Sequence, residues 1–222
     1  MTDPVLAPGS GSLDPDPGAR THTGVIVHRR QPERCVGTGK ALLDEGVDRL
    51  LVVDNDSGAD AIAFIRSGLP EAEVLELGAN TGFGPGANAG FRHWLASGEG
   101  DWVVLTPHDA MPEPGCVAKV VEAAAARPRA GLACAEFGSG VLNARPAVNK
   151  VVGGVVARSE QRPGWETCDY PHGTLMVARR ECLAEIGLFD ERYFAYCEEA
   201  DLGIRARAAG WEVGIVWGAV VR

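Results

Sequence analysis

Long runs of any one kind are missing from this chain. Its 222 residues hold no basic stretch longer than the pairs Arg29-Arg30 and Arg179-Arg180, and the formal net charge is −9. A protein that grips a phosphate backbone needs a basic patch, so nucleic acid is excluded as a partner. No apolar run approaches the roughly 18 residues that cross a bilayer, which leaves no expected transmembrane segment. No basic stretch followed by an apolar core opens the chain, so no secretory leader is expected. The six cysteines (Cys35, Cys116, Cys134, Cys168, Cys182 and Cys197) are scattered with no CxxC pair, which argues against structural zinc. They read as reduced, mostly buried thiols of a cytoplasmic protein.

What is present is an ordinary globular composition, 45% hydrophobic, enough for one large domain with a sizeable core. Residues 1–22 are rich in Pro, Gly, Asp and Ser and read as a disordered tail, with the domain over 23–222. From Gly24 onward, short apolar runs alternate with amphipathic ones. Strands are expected at Gly24–Val27, Leu50–Val53, Glu73–Leu77, Trp102–Leu105 and Gly131–Ala135. Helices are expected at Pro32–Glu45, Ala59–Arg66, Gly86–Ala96 and Gly115–Arg127. The second half is less regular, with strands at Val151–Val156, Thr174–Ala178 and Glu212–Trp217 and helices at Arg179–Ile186 and after Glu199. Alternation of this kind predicts an α/β fold with a mainly parallel sheet flanked by helices. Ligands in such sheets sit beyond the carboxyl ends of the strands. The polar clusters His28-Arg29-Arg30, Asp54-Asn55-Asp56, Gly78 to Gly86 and His108-Asp109 all fall there.

Several motifs carry chemistry. Glu198, Glu199 and Asp201 crowd three carboxylates into four positions. Like charges raise one another's pKa, which suits a general base working near neutrality, although an acidic first helical turn also complements the helix dipole. Gly84, Gly86 and Ala89 match a dinucleotide fingerprint, but after the third strand rather than the first, and Pro85 removes a donor. Gly37-Thr38-Gly39-Lys40 lacks the spacing of a phosphate loop. Asp54 ends a buried strand, where it serves either turn chemistry or as an acceptor for a nucleobase N–H. Asp109 with His108 offers a carboxylate and an imidazole, ligand types that Mn²⁺ takes together.

In order, these pieces resemble a family 2 glycosyltransferase of the GT-A (Rossmann-like) fold, of the rhamnosyltransferase-like kind. The matching segments are Val52-Val53-Asp54-Asn55-Asp56-Ser57, the loop Asn80 to Gly90, the strand Trp102 to Asp109, and Gly187-Leu188-Phe189-Asp190-Glu191 through Glu198-Glu199-Ala200-Asp201-Leu202, then Arg205 and Gly210. The resemblance covers nearly all of the chain from Gly24. It implies transfer of a sugar, with inversion, from a nucleoside-diphosphate sugar to an acceptor hydroxyl, assisted by Mg²⁺ or Mn²⁺.

The resemblance also implies roles. Val27, His28, Arg30, Asp54 and Asn55 would hold the nucleotide, and Asn80, Gly82, Phe83, Gly84, Asn88 and His108 would line the nucleotide and sugar pocket. Asp109 would bind the metal, although Pro107 occupies the first position of the DxD-like motif and cannot ligate. Glu199 stands where the family has Asp and would be the base, supported by Glu198 and Asp201. His172, Gly173, Thr174, Phe189 and Asp190 would shape the acceptor side, with a peripheral membrane acceptor among the partners. Two alternatives accompany this reading: a nucleotidyltransferase on a similar sheet, although His28 to Pro32 lacks that class's glycine-rich loop, and a non-catalytic nucleotide-sugar-binding module.

Overall fold

Valine- and leucine-rich runs buried on both sides can only form strands that helices cover on two faces. A computed structural model describes residues 22–138, 144–149, 153–159 and 162–222. The first half runs β1 (His22–His28), α1 (Pro32–Asp44), β2 (Arg49–Asp54), α2 (Ala59–Gly68), β3 (Ala72–Glu76), α3 (Phe83–Ser97), β4 (Trp102–Pro107), α4 (Cys116–Ala125) and β5 (Ala130–Phe137). The second half adds β6 (Ala144–Asn149), β7 (Gly153–Arg158), β8 (Gly164–Thr167), β9 (Met176–Arg179), α5 (Arg180–Ile186), α6 (Glu198–Ala208) and β10 (Glu212–Val221).

Eight strands form one sheet in the order β3-β2-β1-β4-β9-β5-β10-β8, and β6 pairs with β7 in a separate hairpin. β3, β2, β1 and β4 run parallel. β9 lies antiparallel between β4 and β5, β10 is parallel to β5, and β8 is antiparallel to β10. Side chains alternate between faces. Val25, Leu51, Val53, Val103 and Leu105 pack with Phe91 and Trp94 of α3. Ile26, Val52 and Val104 pack on the other face with Leu42, Ile65, Val117 and Val120. Among the described residues no helix is long and apolar enough to cross a membrane.

The expected elements are present, with shifted edges. α3 begins at Phe83, three residues before the expected Gly86, because Pro85 falls in the first turn, where amides have no intrahelical partner and proline costs nothing. β6 and β8 are not among the expected elements; the four residues of β8 give no periodicity to read. The strand expected at Val151–Val156 is β7, starting at Gly153, and residues 151–152 lie outside the described set. Residues 1–21 of the expected tail also lie outside it, and His22 already belongs to β1.

Candidate active site

A cavity of about 430 Å³ opens at the carboxyl end of β4, lined by Phe83, Pro107, His172, Gly173, Thr174, Ala195, Tyr196, Glu198 and Glu199. Four separate stretches meet here for a topological reason. β9 runs against β4, so the residues preceding β9 arrive at the same rim as the end of β4; Thr106 Oγ1 donates to the Thr174 carbonyl at 2.8 Å. α6 brings its first turn to that rim from above. The segment leading into α6 is fastened to the start of α3, where the Phe83 N–H donates to the Phe194 carbonyl at 2.8 Å.

That fastening explains the glycine loop. Gly82 has φ +97, and a Cβ there would lie 2.1 Å from the Phe194 oxygen. Gly90 faces Val25 and Gly86 faces Val27 as closely as 2.4 and 3.1 Å from a notional Cβ. The glycines let backbone approach backbone and helix approach strand, which leaves nothing for a dinucleotide fingerprint to explain. The rejected phosphate-loop look-alike, Gly37 to Lys40, lies inside α1.

Glu198 and Glu199 open α6 and share the cavity wall. Glu198 is only 2% exposed, and its Oε2 is buried with no hydrogen-bond partner. Burial, then the charge of Glu199, push its carboxyl up to about 7. Glu199 is also raised by burial, but the N–H groups of its own residue and of Gly173 and the nearby His172 ring pull the other way. Its carboxylate rests directly on Gly173, where a Cβ would come within 2.4 Å of Oε1. Burial thus raises both carboxyls, and Glu199 alone has the Gly173 N–H and the His172 ring working against that rise. Asp201 is turned elsewhere: it pairs with Arg205 at 2.8 Å one helical turn on.

The cavity thus unites Glu198, Glu199, His172, Gly173, Thr174 and Phe83 from the expected set. Several others are taken up by the scaffold instead. His28 is wholly buried and Asp54 nearly so. The His28 Nδ1–H donates to Asp54 Oδ1 at 2.9 Å, while His28 Nε2 accepts from the Gln31 N–H at 3.1 Å. This pairing fits a neutral ring, and burial lowers the His28 pKa. Asp54 Oδ2 accepts from the Ser57 N–H. Val27 is a core residue. Asn55 pins the glycine loop, donating to the Gly82 carbonyl and accepting from the Thr81 N–H, both at 2.8 Å. Asn88 braces α3 against the distant Phe189 backbone, accepting its N–H at 3.0 Å and donating to its carbonyl at 2.9 Å. Phe189 itself packs on Phe91 in the core. Asp190 is held by Arg192, which keeps its carboxyl down at about 2. Gly84 is buried against Glu198, and Asn80 Oδ1 accepts the Gly82 N–H at 3.3 Å. Arg30 is exposed at φ 56 with its N–H on Ser57 Oγ.

Asp109 is 44% exposed and faces Arg34 at 3.6 Å. Next to it, the His108 Nδ1–H donates to the Val27 carbonyl at 3.3 Å, and His108 Nε2 is buried without a partner. Among the described residues no group of three His, Cys, Asp or Glu side chains could hold a metal ion alone. Hard cations at phosphate sites take only one or two protein ligands and complete their shell with substrate oxygens and water. The donor chemistry of Asp109 and the orphaned His108 nitrogen fits that partial set.

Ala195 and Tyr196 also line the cavity, although neither is in the expected set. The aromatic run Tyr193 to Tyr196 was visible, but its exposure was not: Tyr196 is 84% exposed.

Residues 29–187 match the family model for glycosyl transferase family 2. The chain belongs to that family. The N-acetylglucosaminyl-diphospho-decaprenol L-rhamnosyltransferase of Mycobacterium tuberculosis, from two strains, is 31% identical over 191 residues, covering 73% of this chain and 62% of the relative. The family 2 chain therefore spans less than two thirds of the curated relatives it matches. Its fold superposes on GalNAc-T7 bound to UDP, GalNAc and Mn²⁺ with TM-score 0.76 and 13% identity, over 93% of this chain and 44% of the other. It also superposes on the mannosyltransferase PcManGT from Pyrobaculum calidifontis, in complex with GDP-Man and Mn²⁺, with TM-score 0.70 and 18% identity, over 96% and 59% of the two chains. The GT-A fold expected from the resemblance is the fold found.

Proposed function

We propose that this chain transfers a sugar from a nucleoside-diphosphate donor to an acceptor hydroxyl with inversion, using Glu199 as general base. One observation carries the reading: a buried carboxylate, Glu198, and a half-buried one, Glu199, share the wall of a cavity at the strand tips. Glu199, resting on the Gly173 backbone and raised in pKa by burial, takes the proton from the acceptor hydroxyl. The hydroxyl oxygen bonds to the anomeric carbon while the bond from that carbon to the diphosphate oxygen breaks on the opposite face, and the leaving diphosphate keeps the electron pair. Glu198, carrying a proton for much of the time near neutrality, avoids a second charge beside the base.

The Arg30 side chain, the amide nitrogen of Asn80 and the Phe83 ring would meet the donor along the rim from β1 to α3. Asp109, with His108 Nε2, would hold Mg²⁺ or Mn²⁺. When bound, that ion offsets charge on the diphosphate. The curated relatives are named for transfer of L-rhamnose to a prenyl-linked N-acetylglucosaminyl diphosphate. A 6-deoxyhexose donor and an acceptor held at a membrane surface are the corresponding substrates here. The site lies at the protein surface, so such an acceptor can reach it without any spanning helix.

Glu199→Gln keeps the shape of the side chain and removes its basicity. Turnover is expected to fall by at least about 10²-fold with donor affinity unchanged in calorimetry. Full turnover in this variant would remove Glu199 from the role. Proton NMR of the product reports the anomeric configuration, and retention would overturn the single displacement.

A further inference from the structure

Glu198 carries a polar atom that the fold leaves unpaired. The residue is 2% exposed, its Oε2 is buried with no hydrogen-bond partner, and the side chain lines the cavity. Burying a carboxyl without a partner is costly. A leucine would fill the same space at the head of α6 without that cost. An unsatisfied buried group in a cavity wall is explained by a ligand that completes it. A sugar hydroxyl is the matching group. It donates and accepts at one atom, while a carboxyl accepts when ionised and also donates when protonated.

A transfer brings a donor and an acceptor together, and the packing of the two glutamates separates them. Glu199 rests on Gly173, shortly before β9. Glu198 leans the other way: its Cβ and Cγ lie 3.6 Å from a notional Cβ on Gly84, in the first turn of α3. α3 in turn lies over β1, where Gly86 and Gly90 face Val27 and Val25. β1 and β9 flank β4 on opposite sides, about 10 Å apart. In an inverting displacement the base stands on the acceptor's side of the anomeric carbon, and the donor's sugar lies between the base and the diphosphate. With the donor along the rim from β1 to α3, the glutamate packed on α3 meets the donor's own sugar. We propose that Glu198 recognises the sugar being transferred, its carboxyl hydrogen-bonding one ring hydroxyl of the donor. The inference rests on the transferase reading given above and adds the residue that selects among donors.

Thermal shift of the full chain across a panel of nucleoside-diphosphate hexoses selects the donor, and calorimetry then compares that donor with its bare nucleoside diphosphate. Glu198→Leu fills the same volume and cannot hydrogen-bond. It should bind the bare nucleoside diphosphate within about twofold of the wild type and the nucleotide sugar at least about tenfold more weakly. Glu198→Ala, smaller at the same position, should show the same split. Glu198→Gln keeps a donor and an acceptor and should hold the nucleotide sugar within about threefold. Among monodeoxy forms of the sugar, one should bind the wild type about tenfold more weakly than the parent does, yet bind Glu198→Leu as the parent does, because the missing hydroxyl has no partner there. The inference is overturned if Glu198→Leu and Glu198→Ala bind the nucleotide sugar as the wild type does, if they lose both ligands equally, if Glu198→Gln loses as much as they do, or if every monodeoxy form loses the same factor in wild type and Glu198→Leu. A wild type that no nucleoside-diphosphate sugar stabilises overturns the transferase reading and this inference with it. Full turnover in Glu199→Gln, with the Glu198 pattern intact, removes the general base and leaves the role of Glu198 standing.

Discussion

Burial raises the carboxyls of both Glu198 and Glu199, but only for Glu198 does the neighbouring glutamate's charge add to it. The Glu198 carboxyl moves from 4.5 to about 7 on folding, so the folded chain holds its proton more tightly than the unfolded chain. Between those values the unfolded chain has released the proton and the folded chain has not. Stability therefore falls as pH rises from about 4.5 to 7, and the cost is complete above 7. It amounts to roughly 3 kcal/mol. Glu198→Gln should be more stable than the wild type at pH 8 by up to about that amount and equal to it near pH 4, as urea unfolding at the two pH values would report. A flat wild-type profile would mean that the carboxyl is not desolvated. Asn88 shows the converse, a polar group fully satisfied. Asn88→Ala leaves the buried Phe189 N–H and carbonyl unpaired and should cost about 2–4 kcal/mol in the same assay. From sequence, His28, Asp54, Asn55 and Asn88 looked like ligand contacts because they are polar residues at strand and helix ends. In the structure each bonds to another part of the chain, and sequence spacing carries no record of which partner a side chain will find in space.

At the level of elements, the decisive joint lies between the start of α3 and the segment 193–197. Gly82→Ala would place a methyl group against the Phe194 carbonyl, at a φ of +97 that alanine tolerates poorly. It should destabilise the protein by about 2–4 kcal/mol and depress turnover further, since the displaced segment leads into Glu198 and Glu199. A loss of less than about 0.5 kcal/mol, within the range of surface changes, would mean that the two segments are not in contact. Strand and helix periodicity marked β1 through β5 well, because each run is buried on one face or both. β8 escaped notice: with four residues, it is identified only by its pairing to β10. The arginine pairs became legible only in three dimensions. Arg179 and Arg180 stack on Trp102 and Trp94 and donate to backbone carbonyls, so they form no basic surface.

At the scale of the molecule, the metal site proposed at Asp109 would depend on the ligand. With no group of three ligating side chains among the described residues, Mn²⁺ alone should bind weakly, and addition of nucleoside diphosphate should raise its affinity by at least about tenfold. Asp109→Ala should abolish that gain. Calorimetry with the ion alone, then with a panel of nucleoside diphosphates, measures both; strong binding of Mn²⁺ alone would contradict the two-donor set. The strand order has another consequence. β4 and β5 are made early, yet they join only through β9, whose last residue is Arg179. A nascent chain on the ribosome, or a fragment cut before that point, carries two raw sheet edges that invite association with other chains. Until synthesis has passed β9 and α6 it also lacks the wall that carries Glu198 and Glu199, so the cavity is completed only late in synthesis.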